Sequence, residues 1–167
     1  RVASLFNAKA KFLSSGRTET WSKLKQYDNS QKCIWIHAAS LGEFEQGRPL
    51  IEAVKAKYPD RKIVLTFYSP SGYEVRKNYN MADLICYLPA DTPCNAAKFI
   101  DAINPEMVFF VKYEFWHFFL KALTKRNIPV YGVSMIFRQQ QAFFKWYGGW
   151  FRQMLESFKF MYIQDQN

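Results

Sequence analysis

The stretch CIWIHAASLGEFEQGRPLI, residues 33–51, decides how the rest of the chain is read. Cys33-Ile34-Trp35-Ile36 is an unbroken apolar run, which fits a strand buried on both faces of a parallel sheet. Phe44, Gly47, Leu50 and Ile51 then recur at helical spacing. Between the two periods, HAASLGE places small and polar residues where a strand hands over to a helix. The spacing predicts a strand over 33–39 and a helix over 43–58, with Val54 and Tyr58 extending the apolar face. Pro49 falls inside that helix, where a missing N–H and a bulky ring can kink it.

The same alternation continues towards the C-terminus. Strands are predicted over 62–68, 82–89, 107–113, 129–135 and 159–164. A turn and short helix fill 69–80, and helices fill 92–103, 115–126 and 138–158, the last broken at Gly148-Gly149. Thr92 as cap followed by Pro93 at the first helical position is a helix-start signal. Apolar strands alternating with helices give an α/β fold, and right-handed crossovers make it a Rossmann-like, doubly wound parallel sheet. This domain is expected over residues 28–167. Residues 1–27 are expected to form a basic amphipathic helical segment ahead of it. Val2, Leu5, Phe6, Phe12 and Leu13 recur there at helical spacing, with Gly16 as a break. That segment has two readings, a helix packed on the domain or one lying on an anionic membrane.

The chain has 167 residues, enough for one domain with a full core. With 49% apolar and 19% aromatic residues it is not a disordered chain. No apolar run reaches the ~18–20 residues of a membrane span. The chain opens at Arg1 rather than Met, which leaves room for an upstream segment, an anchor included. The net charge of +9 favours an anionic partner: nucleic acid, phospholipid headgroups or a phosphorylated substrate. Cys33, Cys86 and Cys94 lack metal-site spacing and are expected to be buried thiols.

In an open parallel sheet, ligands bind beyond the carboxyl ends of the strands. The segments there are HAASLGE, YSPSG, LPADTP, KYEFW and SMIFRQ. Neither GxGxxG nor GxxxxGK[ST] occurs, so no dinucleotide or P-loop cradle is supported. His37 and His117 have no partner spacing for a metal; His37 is expected to be partly buried at a strand end and His117 to sit on a helix face. Ser40-Leu41-Gly42-Glu43 is S-x-x-E, the capping-box pattern, in which Glu43 would reach back to the Ser40 amide. Chemistry is the competing reading of Glu43, because Gly42 lets a substrate approach the backbone and the helix start offers free amides to an anion. Lys112 at a strand end and Glu114 at a helix start are similarly ambiguous; a lysine in the crevice needs Glu114 or an anion to pair with.

At IHAASLGEFEQGRPLI, LTFYSPSGYE, YLPADTPCNAAKFI and KYEFWHFFL the sequence resembles the N-terminal domain of the 3-deoxy-D-manno-octulosonic acid (Kdo) transferases of lipopolysaccharide biosynthesis. The resemblance spans roughly residues 10 to 165 and implies the acceptor-binding half of a GT-B glycosyltransferase. The donor CMP-Kdo would be bound mainly by a C-terminal domain, so these residues alone are expected not to transfer sugar. The glutamate of the family's S-x-G-E motif falls on Glu43, which the resemblance makes the general base of an inverting transfer to a lipid A precursor. Ser40 and Gly42 would lie against the acceptor, and Glu114 would be an acceptor-side or base-orienting residue. Lys112 stands where the family's E-x-E-x-W-P pattern has its first glutamate and His117 where it has proline. From charge and position, Lys112 offers a phosphate contact, and Arg138 in SMIFRQ a second anion contact. Neither metal nor cofactor is implied, and no nucleic acid. The implied location is the cytoplasmic face of the inner membrane, met by a basic face and by Phe143, Phe144, Trp146, Tyr147, Trp150 and Phe151. Helix packing is the alternative role for those aromatics. Two rivals remain: a non-catalytic basic binding module, and a GT-B acceptor domain for another sugar.

Overall fold

A computed structural model of the chain describes residues 8–112 and 114–164. In chain order the elements are α1 (Ala8–Gln26), β1 (Cys33–Ala38), α2 (Leu41–Lys57), β2 (Lys62–Phe67), α3 (Pro70–Arg76), β3 (Leu84–Tyr87), α4 (Pro93–Ile103), β4 (Pro105–Val111), α5 (His117–Lys125), β5 (Val130–Met135), α6 (Gly149–Leu155) and β6 (Phe160–Ile163). The six strands form one sheet in the order β3-β2-β1-β4-β5-β6, every pairing parallel. The order reverses between β1 and β4, which is the switch point of a doubly wound, Rossmann-like sheet.

Strand alternation splits the core into two layers. On one face Trp35, Val64, Cys86, Val108 and Phe110 pack with Phe99 of α4, Phe119 of α5 and Leu24 of α1. On the other, Ile34, Ile36, Ile63, Leu65 and Val111 pack with Phe44 and Ile51 of α2 and Tyr73 of α3. The helix α2 runs uninterrupted past Pro49. Gly47 brings it down on β4, for a Cβ there would meet Val111 Cγ2 at 2.8 Å.

Several expectations change. The helix α1 is continuous through Gly16. That glycine lies against the Tyr87 ring, where any Cβ would collide, so it serves close approach rather than a break. Thr20 then fastens α1 to β3, its hydroxyl reaching the Tyr87 carbonyl at 3.0 Å. Val2, Leu5 and Phe6 lie outside the described residues, and the side chains of Phe12 and Leu13 do as well. Cys33 and Cys86 are buried, but Cys94 is exposed. It sits in the first turn of α4, off the face formed by Ala96, Phe99, Ile100 and Ile103. The long helix expected over 138–158 is instead a 3-10 turn at Ala142–Phe144 and the short α6. Lys145 is extended, and Arg152 donates to the Phe143 and Lys145 carbonyls, closing the turn. Phe143 packs among Phe115, Phe137 and Phe151, a tertiary contact that overrides helical periodicity. Phe144, Trp146, Tyr147 and Trp150 remain exposed.

Candidate active site

The carboxyl ends of β1 and β4 bring the two carboxylates together. Ser40 caps α2 in an extended conformation, its hydroxyl accepting from the Glu43 amide at 3.5 Å. Glu43 returns its side chain one residue further back than a capping box requires: Oε2 accepts from the Ala39 amide at 2.6 Å, not from Ser40. The Ala39 carbonyl in turn accepts from the Ser69 amide, which ties this corner to the start of α3. Glu43 is half-buried, and Gly42 beside it is exposed, with open space where a Cβ would stand. Loss of hydration raises the proton affinity of Glu43, and the Glu114 charge raises it further. The Ala39 bond and the Lys112 charge act the other way without cancelling the rise.

Glu114 does not begin a helix. The helix α5 starts at His117, and Glu114 lies in the preceding loop, nearly buried. Its Oε2 accepts from the Trp116 indole at 2.6 Å and lies 3.1 Å from His37 Nε2. A dipole role at a helix start therefore gives way to a buried polar network. Lys112 follows β4 with φ 64, a left-handed conformation that is costly for a side-chain-bearing residue. Its amide donates to the Val133 carbonyl at 2.9 Å, and its half-exposed ammonium makes no ion pair with any described residue. Of the two partners open to Lys112, Glu114 or an anion, Glu114 is taken by His37 and Trp116.

The helix α5 has no side-chain cap of its own. Asp91, from the loop after β3, supplies one from a distance: Oδ1 accepts from the Phe118 and Phe119 amides, each at 3.1 Å. Burial raises the Asp91 carboxyl, and those amides offset only part of the rise. Tyr68, after β2, closes the rim with its ring 5.0 Å from Trp116 and the Arg17 guanidinium 5.0 Å above it.

Of the residues expected from sequence, Ser40, Gly42, Glu43, Lys112 and Glu114 gather at the switch point. Arg138 follows β5, the strand beside β4, and is exposed, its amide bonded to the Gln141 side chain at 2.8 Å. His37 is fully rather than partly buried, and His117 sits at the start of α5 with its ring against Trp150. The sequence reading missed Thr66, Asp91 and Tyr68. Among the described residues no group of three or more His, Cys, Asp and Glu side chains gathers as a metal site. No described helix is long and apolar enough to cross a membrane.

Solved structures with this fold include a UDP-N-acetylglucosamine 2-epimerase (TM-score 0.55, 17% identity, 80% of this chain and 42% of that one). Another is a putative UDP-N-acetylglucosamine 2-epimerase from Listeria monocytogenes (TM-score 0.54, 14% identity, 80% and 39%). Both speak for the fold alone. Among curated proteins, the 3-deoxy-D-manno-octulosonic acid transferase of Haemophilus influenzae is 34% identical over 97 residues, 58% of this chain and 23% of that protein. That of Aquifex aeolicus is 32% identical over 89 residues (53% and 24%), and that of Chlamydia muridarum 26% over 126 residues (74% and 29%). The matched region is thus between 23% and 29% of the length of these relatives. The family model for 3-deoxy-D-manno-octulosonic-acid transferase (kdotransferase) matches residues 15–167, and the chain belongs to that family.

Proposed function

We propose that this chain is the acceptor-binding half of an inverting GT-B glycosyltransferase that moves Kdo from CMP-Kdo to a lipid A precursor, with Glu43 as general base. The observation that carries the proposal is a half-buried carboxylate of raised proton affinity at the sheet's switch point, beside an exposed glycine and an unpaired lysine. A general base works best when its proton affinity approaches working pH and its hydroxyl can come within hydrogen-bond reach. The acceptor hydroxyl oxygen attacks the anomeric carbon of Kdo, its proton passes to Glu43, and the bond to CMP breaks on the opposite face, which inverts the configuration. No metal is required by this step.

Gly42 leaves the approach to the α2 amides open, and Ser40 holds the helix start in place. Lys112, which makes no ion pair with a described residue, would meet an acceptor phosphate. Glu114 acts on the acceptor side by holding its charge near Glu43. Arg138 is far less constrained, and its role as a second anion contact would come with acceptor bound. The family membership supports a sugar donor and an acceptor in general terms. The exposed aromatics Phe144, Trp146, Tyr147 and Trp150, with Lys145 among them, suit the interface of an anionic bilayer, where aromatic rings and basic side chains are both favoured. On this reading the domain works at the cytoplasmic face of the inner membrane and takes no nucleic acid.

The donor site would come from a C-terminal domain, so the test joins this chain to the remaining length of the Aquifex aeolicus relative. CMP release from CMP-Kdo should then depend on the lipid A precursor and be absent for the chain alone. Release that proceeds equally with an unrelated sugar acceptor would favour an acceptor domain for a different sugar.

A further inference from the structure

Strand alternation sets Trp35 and His37 on the same face of β1, and parallel register sets His37 beside Thr66 of β2. The Thr66 hydroxyl lies 2.8 Å from the Trp35 indole nitrogen and 2.8 Å from His37 Nδ1. His37 Nε2 lies 3.1 Å from Glu114 Oε2, which also accepts from Trp116. His37, Thr66 and Trp35 are fully buried, and Phe110 and Trp116 stand edge-on to the imidazole.

The ends of this chain fix its direction. An indole N–H can only donate, so Thr66 oxygen accepts from Trp35. Its own O–H then needs an acceptor, and His37 Nδ1 is the one within reach among the described residues. Nδ1 therefore presents its lone pair, and the proton of the neutral ring sits on Nε2, aimed at Glu114. Glu114 receives two N–H donors on one oxygen, as an ionised carboxylate does.

We propose that His37 is a positioning residue for the Glu43 site: a neutral imidazole, locked by Thr66 in the Nε2–H tautomer, that holds the Glu114 carboxylate ionised and oriented so that its charge bears on Glu43. The inference rests on the reading of Glu43 as the base and adds how its surroundings are set. A second proton on His37 would occupy Nδ1 and leave the Thr66 hydroxyl without an acceptor in a dry core. The wiring opposes that proton. The charged groups around the ring are Glu114 in the loop after β4, Lys112 at the end of β4 and Glu43 on α2. A cationic His37 would offset Glu114 and lower the proton affinity of Glu43; a neutral one leaves the Glu114 charge undiminished.

The test is imidazole and carboxyl NMR on the chain, in which His117 is the only other histidine and gives the reference signal. His37 should show a single tautomer, protonated on Nε2 and not on Nδ1. Thr66→Val should let His37 take up a second proton more readily than in the parent and move the Glu43 carboxyl midpoint down, and Thr66→Ser should restore both. His37→Gln, which keeps only the donor towards Glu114, should leave the Glu43 midpoint close to that of the parent. An Nδ1–H signal in the parent overturns the proposal. So does a folded Thr66→Val chain in which neither His37 nor Glu43 shifts, or a His37→Gln chain whose Glu43 midpoint falls as far as in Glu114→Gln. These signals are read without sugar transfer. A failure here leaves Glu43 standing as the base, and an unimportant Glu43 in the transfer assay leaves the wiring standing.

Discussion

Glu43→Gln should make the domain more stable at neutral pH, and the gain should vanish in acid. Glu43 is held half out of water beside Glu114, and its folded-state proton affinity lies above that of the unfolded chain despite the Ala39 bond. A group with a raised folded pKa contributes its stability fully below the unfolded value, about 4.3 for glutamate, and loses it as pH rises through the folded value. At pH 7 the ionised carboxylate is therefore a net burden, which an uncharged amide of the same shape removes. Gln still accepts from the Ala39 amide, although a neutral acceptor is weaker by about 1 kcal/mol. Solvent screening of a half-exposed group trims the electrostatic gain, so a net rise of about 0.5–1 kcal/mol is expected, within the range typical of relieving a functional site. For a domain of this size that is roughly 1–4 °C in Tm. Circular dichroism melts of parent and variant at pH 7 and near pH 4 measure it. Glu43→Gln melting below the parent at pH 7, by the same interval as in acid, would refute the reasoning.

Other sites give independent checks. Asp91→Ala removes the acceptor for two α5 amides and should cost about 1–2 kcal/mol in urea unfolding, with Asp91→Asn recovering part of it; equal losses for both would mean the amides are not the point. Gly47→Ala drives a methyl onto Val111 and should destabilise by about 1–3 kcal/mol, whereas Gly42→Ala, in open space, should change stability far less. Lys112→Gly relieves a left-handed backbone and should unfold at higher urea than Lys112→Ala, by about 1 kcal/mol; the reverse order would place no strain there.

The fold was legible because its strands are apolar without alternation and its helices are separated by caps and turns that sequence displays, Thr92-Pro93 among them. The segment 138–158 was misread: its aromatics satisfy helical spacing, but Phe143 finds its partners in Phe115, in the loop before α5, and Phe151 of α6, which no local period encodes. Glu43, Lys112 and Glu114 were singled out because ligand chemistry collects at strand ends, and the structure sets them beyond the carboxyl ends of β1 and β4. What sequence could not give is the pairing. Glu114 answers to His37 across 77 residues, and Asp91 answers to Phe118 across 27. A signal for the first was present: His37 and Thr66 are each a polar residue at the second-last position of a strand, following the apolar runs CIWI and IVL in CIWIHA and KIVLTF, and parallel register makes them neighbours.

The most direct measurement of the central claim is the rate of CMP release by the joined enzyme carrying Glu43→Gln, at saturating CMP-Kdo and lipid A precursor. Loss of a general base should lower that rate by ~10²–10⁴-fold while acceptor binding is kept and the variant melts no lower than the parent. A variant that binds acceptor, remains folded and turns over within a few-fold of the parent would contradict the assignment of Glu43.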